Sequence, residues 1–167
     1  MNIRLRALEP EDLEILYQIE NDQALWQAGA TNVPYSRYVL HDYIANTSSD
    51  IYADRQLRLM IEDSDEGLVV GIVDLVNFDP RHLRAEIGLV IRPACRKQGY
   101  GKAVVAELCR YATEILHLHQ LYVIIAEKNA AALQLFDKFG FSRSAVLQDW
   151  LCEGRDYDDA VLMQKIF

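Results

Sequence analysis

A chain of 167 residues, 51% hydrophobic and 25% charged, has the length of one domain and the balance of a folded protein, which excludes disordered, collagen-like and disulfide-scaffold classes. Seventeen Lys and Arg against 25 Asp and Glu leave a net charge of −8. No nucleic-acid partner is expected from a surface without a basic footprint; a negative field favours cationic partners, with solubility alone as the alternative reason for the charge. Cys95, Cys109 and Cys152 form no Cys-x-x-Cys pair and the first residues lack an apolar export core, which predicts a reducing cytoplasm. The longest apolar stretch, residues 68–76, contains Gly71 and Asp74, so no membrane span is expected. The four histidines have no ligand spacing, and no metal site is predicted.

The elements follow in chain order. Ile3, Leu5 and Ala7 alternate with Arg4 and Arg6, as in a first strand. Pro10, Glu11 and Asp12 suit a helix start, and helical spacing of Leu13, Leu16, Tyr17 and Glu20 carries that helix to about Asn21. Residues 26–36 read as a loop with Gly29, Asn32 and Pro34, and Ser36 caps a second helix to about Asn46. Leu57, Leu59 and Ile61 alternate in a strand, the acidic run 62–66 with Gly67 turns the chain, and residues 68–76 return. Asp79-Pro80 marks another turn before a strand at 85–91. A polar, glycine-bearing loop then leads into a long helix whose core face is Val104, Leu108, Tyr111, Ile115 and Leu118. A buried strand at 121–126, a helix at 131–139 ended by Gly140, and strands at 141–147 and 160–166 complete the chain. The order β α α β β β α β α β β breaks strict alternation. It predicts one α/β (α+β) domain over residues 1–167, with a mixed, mostly antiparallel sheet of about seven strands and helices on both faces.

Residues 86–102 carry the most chemistry. They place a strand, then a loop with Arg96, Gly99 and Gly101, then a helix N-terminus. Successive main-chain N–H groups at such a junction form a nest for a pyrophosphate, which the helix dipole assists and which glycines leave open to close approach. Arg96, Lys97 and Lys102 concentrate positive charge in an otherwise acidic chain. Two readings of the ligand fit poorly. A nucleotide P-loop needs Ser or Thr where Ala103 follows Gly101-Lys102, and a dinucleotide fingerprint needs a small residue where Val104 stands.

The run Arg96-x-x-Gly99-x-Gly101 resembles the pyrophosphate loop of the GNAT family of acetyl-CoA-dependent N-acetyltransferases, whose pattern is Gln or Arg followed by x-x-Gly-x-Gly or Ala. A second segment, Asn129 to Phe141, is similar to the family's Asn-x-x-Ala-x-x-x-Tyr-x-Lys-x-Gly-Phe run, and the element order agrees from Ile3 to Ile166. Ala85-Glu86-Ile87-Gly88 and the ending Gly154-Arg155-x-Tyr157-x-Asp159 are similar to the branch that holds spermidine/spermine acetyltransferases and ribosomal-protein N-terminal acetyltransferases.

The resemblance implies a GNAT fold and an enzyme that moves acetyl from acetyl-CoA to a primary amine. It implies that the main chain of Leu89, Val90 and Ile91 pairs with the pantetheine arm. Arg96, Lys97, Gln98, Gly99, Tyr100, Gly101 and Lys102 would hold the pyrophosphate, and Asn129 and Phe136 would line the other side of the cofactor. The acceptor, a small molecule such as spermidine or the N-terminus of a peptide, would approach near residues 26–35. A homo-oligomer is compatible with all of this.

An ammonium must lose a proton before it attacks, and a carboxylate acting through water can take it; Glu86 is the candidate general base, with a structural pairing to Arg84 or Arg81 as the alternative. Main-chain N–H groups can stabilise the oxyanion that forms. Two departures stand out. Phe136 occupies the position where many family members carry the Tyr that protonates the leaving thiolate, and Phe has no proton to give. That opens the alternative of a non-catalytic acetyl-CoA-binding module. Ala28, Gly29, Ala30 and Thr31 stand where the polyamine enzymes carry an acidic pair.

Overall fold

The computed structural model describes residues 1–26 and 32–167. Strand β1 (Ile3–Ala7) leads through a 3₁₀ turn (Pro10–Asp12) into α1 (Leu13–Glu20) and the short α2 (Gln23–Trp26). Helices α3 (Arg37–Asn46) and α4 (Ile51–Asp54) precede β2 (Leu57–Asp63), β3 (Leu68–Asp79) and β4 (Arg84–Ile91). Then come α5 (Tyr100–Arg110), β5 (Gln120–Ala126), α6 (Ala130–Lys138), β6 (Ser142–Glu153) and β7 (Asp156–Ile166). The seven strands form one sheet in the order β1-β2-β3-β4-β5-β7-β6, antiparallel except for the parallel β4–β5 pair.

Strand periodicity sets the two faces. Ala85 and Ile87 of β4 point with Leu121, Val123 and Ile125 of β5 into a core closed by α5 and α6. Met60, Ile72 and Val90 lie on the opposite face, under Leu16 and Ile19 of α1 and Leu40 of α3. Ser36 caps α3 by accepting from the Val39 N–H at 3.1 Å, as its residue type predicts. Gly140 takes φ +82 after α6, where only a residue without Cβ is unstrained.

Four details depart from the pattern-based reading. The short helices α2 and α4 fall in stretches without helical periodicity. Strands β3 and β6 run to Asp79 and Glu153, well past their expected ends. The acidic stretch 153–159 is mostly strand, with the turn confined to Gly154 and Arg155. The predicted face of the long helix fails at Ile115: residues Tyr111–Ile115 form a π-helical turn, whose extra residue rotates Ile115 out of the core stripe to 56% exposure.

Candidate active site

The cleft begins where two strands part. β4 and β5 pair only at Arg84↔Gln120, Ala85↔Leu121 and Glu86↔Tyr122, while β4 stays paired to β3 as far as Ile91. Beyond Glu86, the β5-facing edge of residues 87–91 runs on without a ladder to β5. Main-chain donors and acceptors along such an edge can take an extended ligand as an added strand. Gly71 sets the opposite side of β4: a Cβ there would lie 2.1 Å from the Val90 carbonyl oxygen, so the close approach of β3 and β4 needs glycine.

Glu86 sits at the fork. Its carboxylate accepts from the Asn77 side-chain amide at 2.7 Å, and the Tyr122 hydroxyl lies within hydrogen-bonding reach of both. Burial first, and then the neighbouring Glu86 charge, push the Tyr122 phenol up. Arg84, the expected structural partner, pairs with Asp79 at 3.3 Å instead. Asn77 reaches Glu86 because the β3–β4 register slips between Val76 and Asp79, where Asn77 adopts φ +50.

A cavity of about 690 Å³ opens beside Glu86. Leu25, Trp26, Tyr35 and Leu40 wall it from the helical side, and Trp150 and Leu151 from β6. Trp26 and Tyr35, the two ends of the stretch near which the acceptor was expected to approach, therefore line the same cavity as Glu86. Asn21 fixes one end of that rim, donating to the Tyr35 carbonyl at 3.0 Å and accepting from its N–H at 2.7 Å. The Trp26 indole donates to the Glu20 carbonyl at 2.8 Å. The positions 28–31 lie outside the described residues.

The cavity floor carries a charge cluster with no local sequence signal. Arg58 donates to both oxygens of Asp74 at 2.8 and 2.9 Å and to Glu20 at 2.5 Å, with its guanidinium 5.8 Å from the Tyr43 ring centroid. Burial works against the Arg58 charge, but the two carboxylates outweigh it and raise its pKa further. Three lining carboxylates against one guanidinium leave the cavity with an excess of two negative charges. Trp150 arrives by a bulge between Leu147 and Leu151, where Asp149 takes φ +50 and its N–H donates to Asp159 at 2.9 Å.

The glycine loop has the expected nest. Lys97 (φ +61) and Gly99 (φ +92) are left-handed, and α5 begins at Tyr100. Arg96 folds back to donate to the Ile91 carbonyl at 3.1 Å, joining the loop to the end of β4. Among the described residues neither Lys97 nor Lys102 is in an ion pair, and both are exposed. Gln98 donates to the Ala94 carbonyl at 3.0 Å. Gly101 has a packing reason as well, since a Cβ there would press on Leu135 of α6 at 3.2 Å. These features fit a pyrophosphate: an exposed cradle of main-chain N–H groups at the end of an 11-residue helix, with free cations beside it.

Three predicted residues commit their side chains to the fold, Asn129 in the helix-capping role that its residue type also allows. The Tyr100 side chain is buried, so its main chain alone faces the loop. Phe136 is turned into the core, edge-on to Phe141 with ring centroids 5.0 Å apart. Asn129 caps α6 by accepting from the Ala132 N–H at 3.2 Å. Among the described residues no group of three or more His, Cys, Asp or Glu side chains could hold a metal ion. No described helix is long and apolar enough to cross a membrane.

A parted β4–β5 pair, a glycine nest before a helix and a carboxylate at the fork are what a transferase that takes an extended acyl-CoA arm and an amine would need. The acetyltransferase (GNAT) domain profile matches residues 2–142, and the chain belongs to that family. It is an acetyl-CoA-dependent N-acetyltransferase. Spermidine N(1)-acetyltransferase of Escherichia coli K12 is 28% identical over 166 residues, covering 97% of this chain and 84% of that protein. The enzyme of the same name from Vibrio cholerae is 26% identical over 157 residues, covering 93% and 88%. A dodecameric structure of spermidine N-acetyltransferase from V. cholerae superposes with a TM-score of 0.82 at 26% identity, covering 98% of this chain and 93% of that one. A structure of the V. cholerae enzyme with CoA and spermine has the same fold, with a TM-score of 0.86 at 24% identity over 98% and 95% of the two chains.

Proposed function

We propose that residues 1–167 form one catalytic domain that acetylates a primary amine of a small polyamine such as spermidine. The observation that carries this reading is the cavity beside Glu86: apolar walls, a mouth at the β4–β5 fork, and an excess of two negative charges inside. A polyamine is the matching shape and charge, aliphatic segments between ammonium groups. The relatives named as spermidine acetyltransferases support the same acceptor.

Glu86 accepts the proton of the attacking ammonium, directly or through one water, while Asn77 holds its carboxylate in place. Leu89, Val90 and Ile91 offer main-chain groups to the pantetheine arm and an N–H to the thioester carbonyl. Arg96, Lys97, Gln98, Gly99, Tyr100, Gly101 and Lys102 hold the pyrophosphate, through main-chain N–H groups and the two free lysines. The helix capped by Asn129 borders the far side. Acetyl-CoA supplies the acyl group and a thiol leaving group.

Two contextual features belong to this reading. The three cysteines are unpaired, which suits a reducing cytoplasm. β6 is a 12-residue edge strand, largely exposed, with Val146 and Trp150 more than half exposed, which suits a homo-oligomer like the dodecameric relative.

The test is thiol release from acetyl-CoA with spermidine, in parallel with a short peptide bearing a free N-terminus. Release with spermidine is the expected result. Release with the peptide alone overturns the acceptor and makes the chain an N-terminal acetyltransferase. Silence with both, while acetyl-CoA raises the melting temperature, makes it a binding module.

A further inference from the structure

One buried charge has no part in the chemistry above. Asp63, the last residue of β2, is 3% exposed, and Asp12 is the other buried carboxylate among the described residues. Asp12 is answered by Arg6 at 2.8 Å. Among the described residues no Lys or Arg side chain pairs with Asp63. Its partners are hydrogen-bond donors: the Tyr100 hydroxyl at 2.9 Å, the Asp65 N–H at 3.1 Å and the Asn2 N–H at 3.5 Å. Burial acts to raise the Asp63 pKa, and these donors, together with the N-terminal ammonium charge of Met1, outweigh it and hold it below the usual carboxylate range. The Tyr100 phenol is pushed up to about 12, first by that bond and then by burial. The pair therefore stays hydroxyl-to-carboxylate across the working pH range.

Tyr100 is the first residue of α5 and lies between Gly99 and Gly101. The residues before it, Arg96 to Gly99, are all exposed, and a Cβ on Gly99 would meet nothing nearer than the Met1 side chain at 3.8 Å. The nest is thus an exposed arch that springs from two buried side chains, Cys95 on one side and Tyr100 on the other. Tyr100 alone adds a directional bond to its packing, and Asp63 is the fixed point of that bond. We propose that Asp63 is a positioning residue for the cofactor loop: through the Tyr100 hydroxyl it sets the first turn of α5 and aims the main-chain N–H groups of residues 99–101 at the pyrophosphate. The proposal rests on the reading of residues 96–102 as the pyrophosphate cradle.

The test compares two donors that share a thioester and differ in the pyrophosphate, acetyl-CoA and S-acetyl-pantetheine, with spermidine as acceptor. Tyr100→Phe removes one hydroxyl, and Asp63→Asn removes the charge at nearly constant volume. Each variant is expected to raise KM for acetyl-CoA about tenfold, the size of losing one hydrogen bond to a charged group. The KM for S-acetyl-pantetheine, the KM for spermidine and kcat stay within twofold. The double variant is expected to be no worse than the more impaired single one, because one change deletes the hydroxyl and the other the charge of the same contact. If turnover is too slow to read, calorimetry gives the same comparison as a tenfold loss of CoA affinity. An unchanged acetyl-CoA KM, or an equal rise for both donors, overturns the proposal, since general loosening of the fold does not distinguish them. Gly99→Glu is the control for the underlying reading. If Gly99→Glu leaves CoA affinity intact, the cradle itself is misassigned and the proposal falls with it.

Discussion

Replacing Arg58 with Met is the sharpest perturbation of the cavity floor. It keeps the aliphatic stem, which packs under α1 and α3, and deletes the guanidinium. Two bonds to Asp74 and one to Glu20 are lost together, leaving two carboxylates that now face each other without a cation. Removing one partner from a fully buried ion pair costs about 3–5 kcal/mol. Here the three side chains are 15–26% exposed, so water recovers part of that, and the lower end, about 3 kcal/mol, applies. For a domain of this size the loss corresponds to a fall of roughly 6–12 °C in melting temperature. Thermal melting and urea titration at pH 7 read the loss directly. Arg58→Lys keeps a cation without the two-pronged geometry and is expected to fall between the parent and Met. A melting temperature within 2 °C of the parent at pH 7, or an Arg58→Lys variant no more stable than Arg58→Met, would refute the reasoning that this triad holds the floor together.

Three further outcomes are expected. Glu86→Gln preserves an acceptor for the Asn77 amide but removes the base, so kcat falls by about 10²–10⁴, most severely at low pH where the amine most needs deprotonation, while CoA affinity is unchanged; a pH–rate profile that overlays the parent would make Glu86 structural. Gly71→Ala forces a methyl group to 2.1 Å from the Val90 oxygen, so β4 must shift, with a loss of about 1–3 kcal/mol by urea titration and a raised KM for acetyl-CoA; wild-type values for both would show that β3 and β4 have more room than their register implies. Asp12 is buried, which acts to raise its pKa, but its bonds from Arg6 and the Glu9 N–H win and hold it below 3.8. A carboxylate depressed in the native state contributes stability that is complete above its unfolded pKa of about 4 and is lost as pH falls through the native value. Asp12→Asn is therefore expected to flatten the dependence of melting temperature on pH below 4, and an unaltered slope counts against that origin.

How much was legible in the sequence depends on how far apart the cooperating residues lie. The glycine nest and α5 follow from seven consecutive residues, since a left-handed Gly99 before an amphipathic run fixes a loop-to-helix junction locally. β1 through β4 were legible as alternation and turn chemistry. α2 and α4, four residues each, have no periodicity to detect and are held by tertiary contacts through Leu25 and Ile51. The π-helical turn at Tyr111–Ile115 was invisible because its residues keep helical spacing in the sequence; only the rotation of Ile115 to solvent shows the extra residue.

The cavity floor was illegible for a different reason. Glu20, Arg58 and Asp74 come from α1, β2 and β3, and their meeting depends on the register Arg58↔Asp74 and on how α1 lies across it. A one-residue slip would put Arg58 on the opposite face, so no local pattern announces the triad. Asn77 and Trp150 reach the site only through bulges, which break the alternation on which strand reading depends. Phe136 shows the reverse case, a residue legible in sequence whose consequence needed the structure. Its ring packs edge-on to Phe141 in the core, where it can neither donate a proton nor orient a water. The thiolate side of the reaction is therefore left without the family's usual phenol. With a free thiol pKa of about 8.5, the leaving group sits only modestly above neutral pH and can depart unprotonated. The chemical demand then falls on deprotonating the amine, which is the task proposed above for Glu86 at the strand fork.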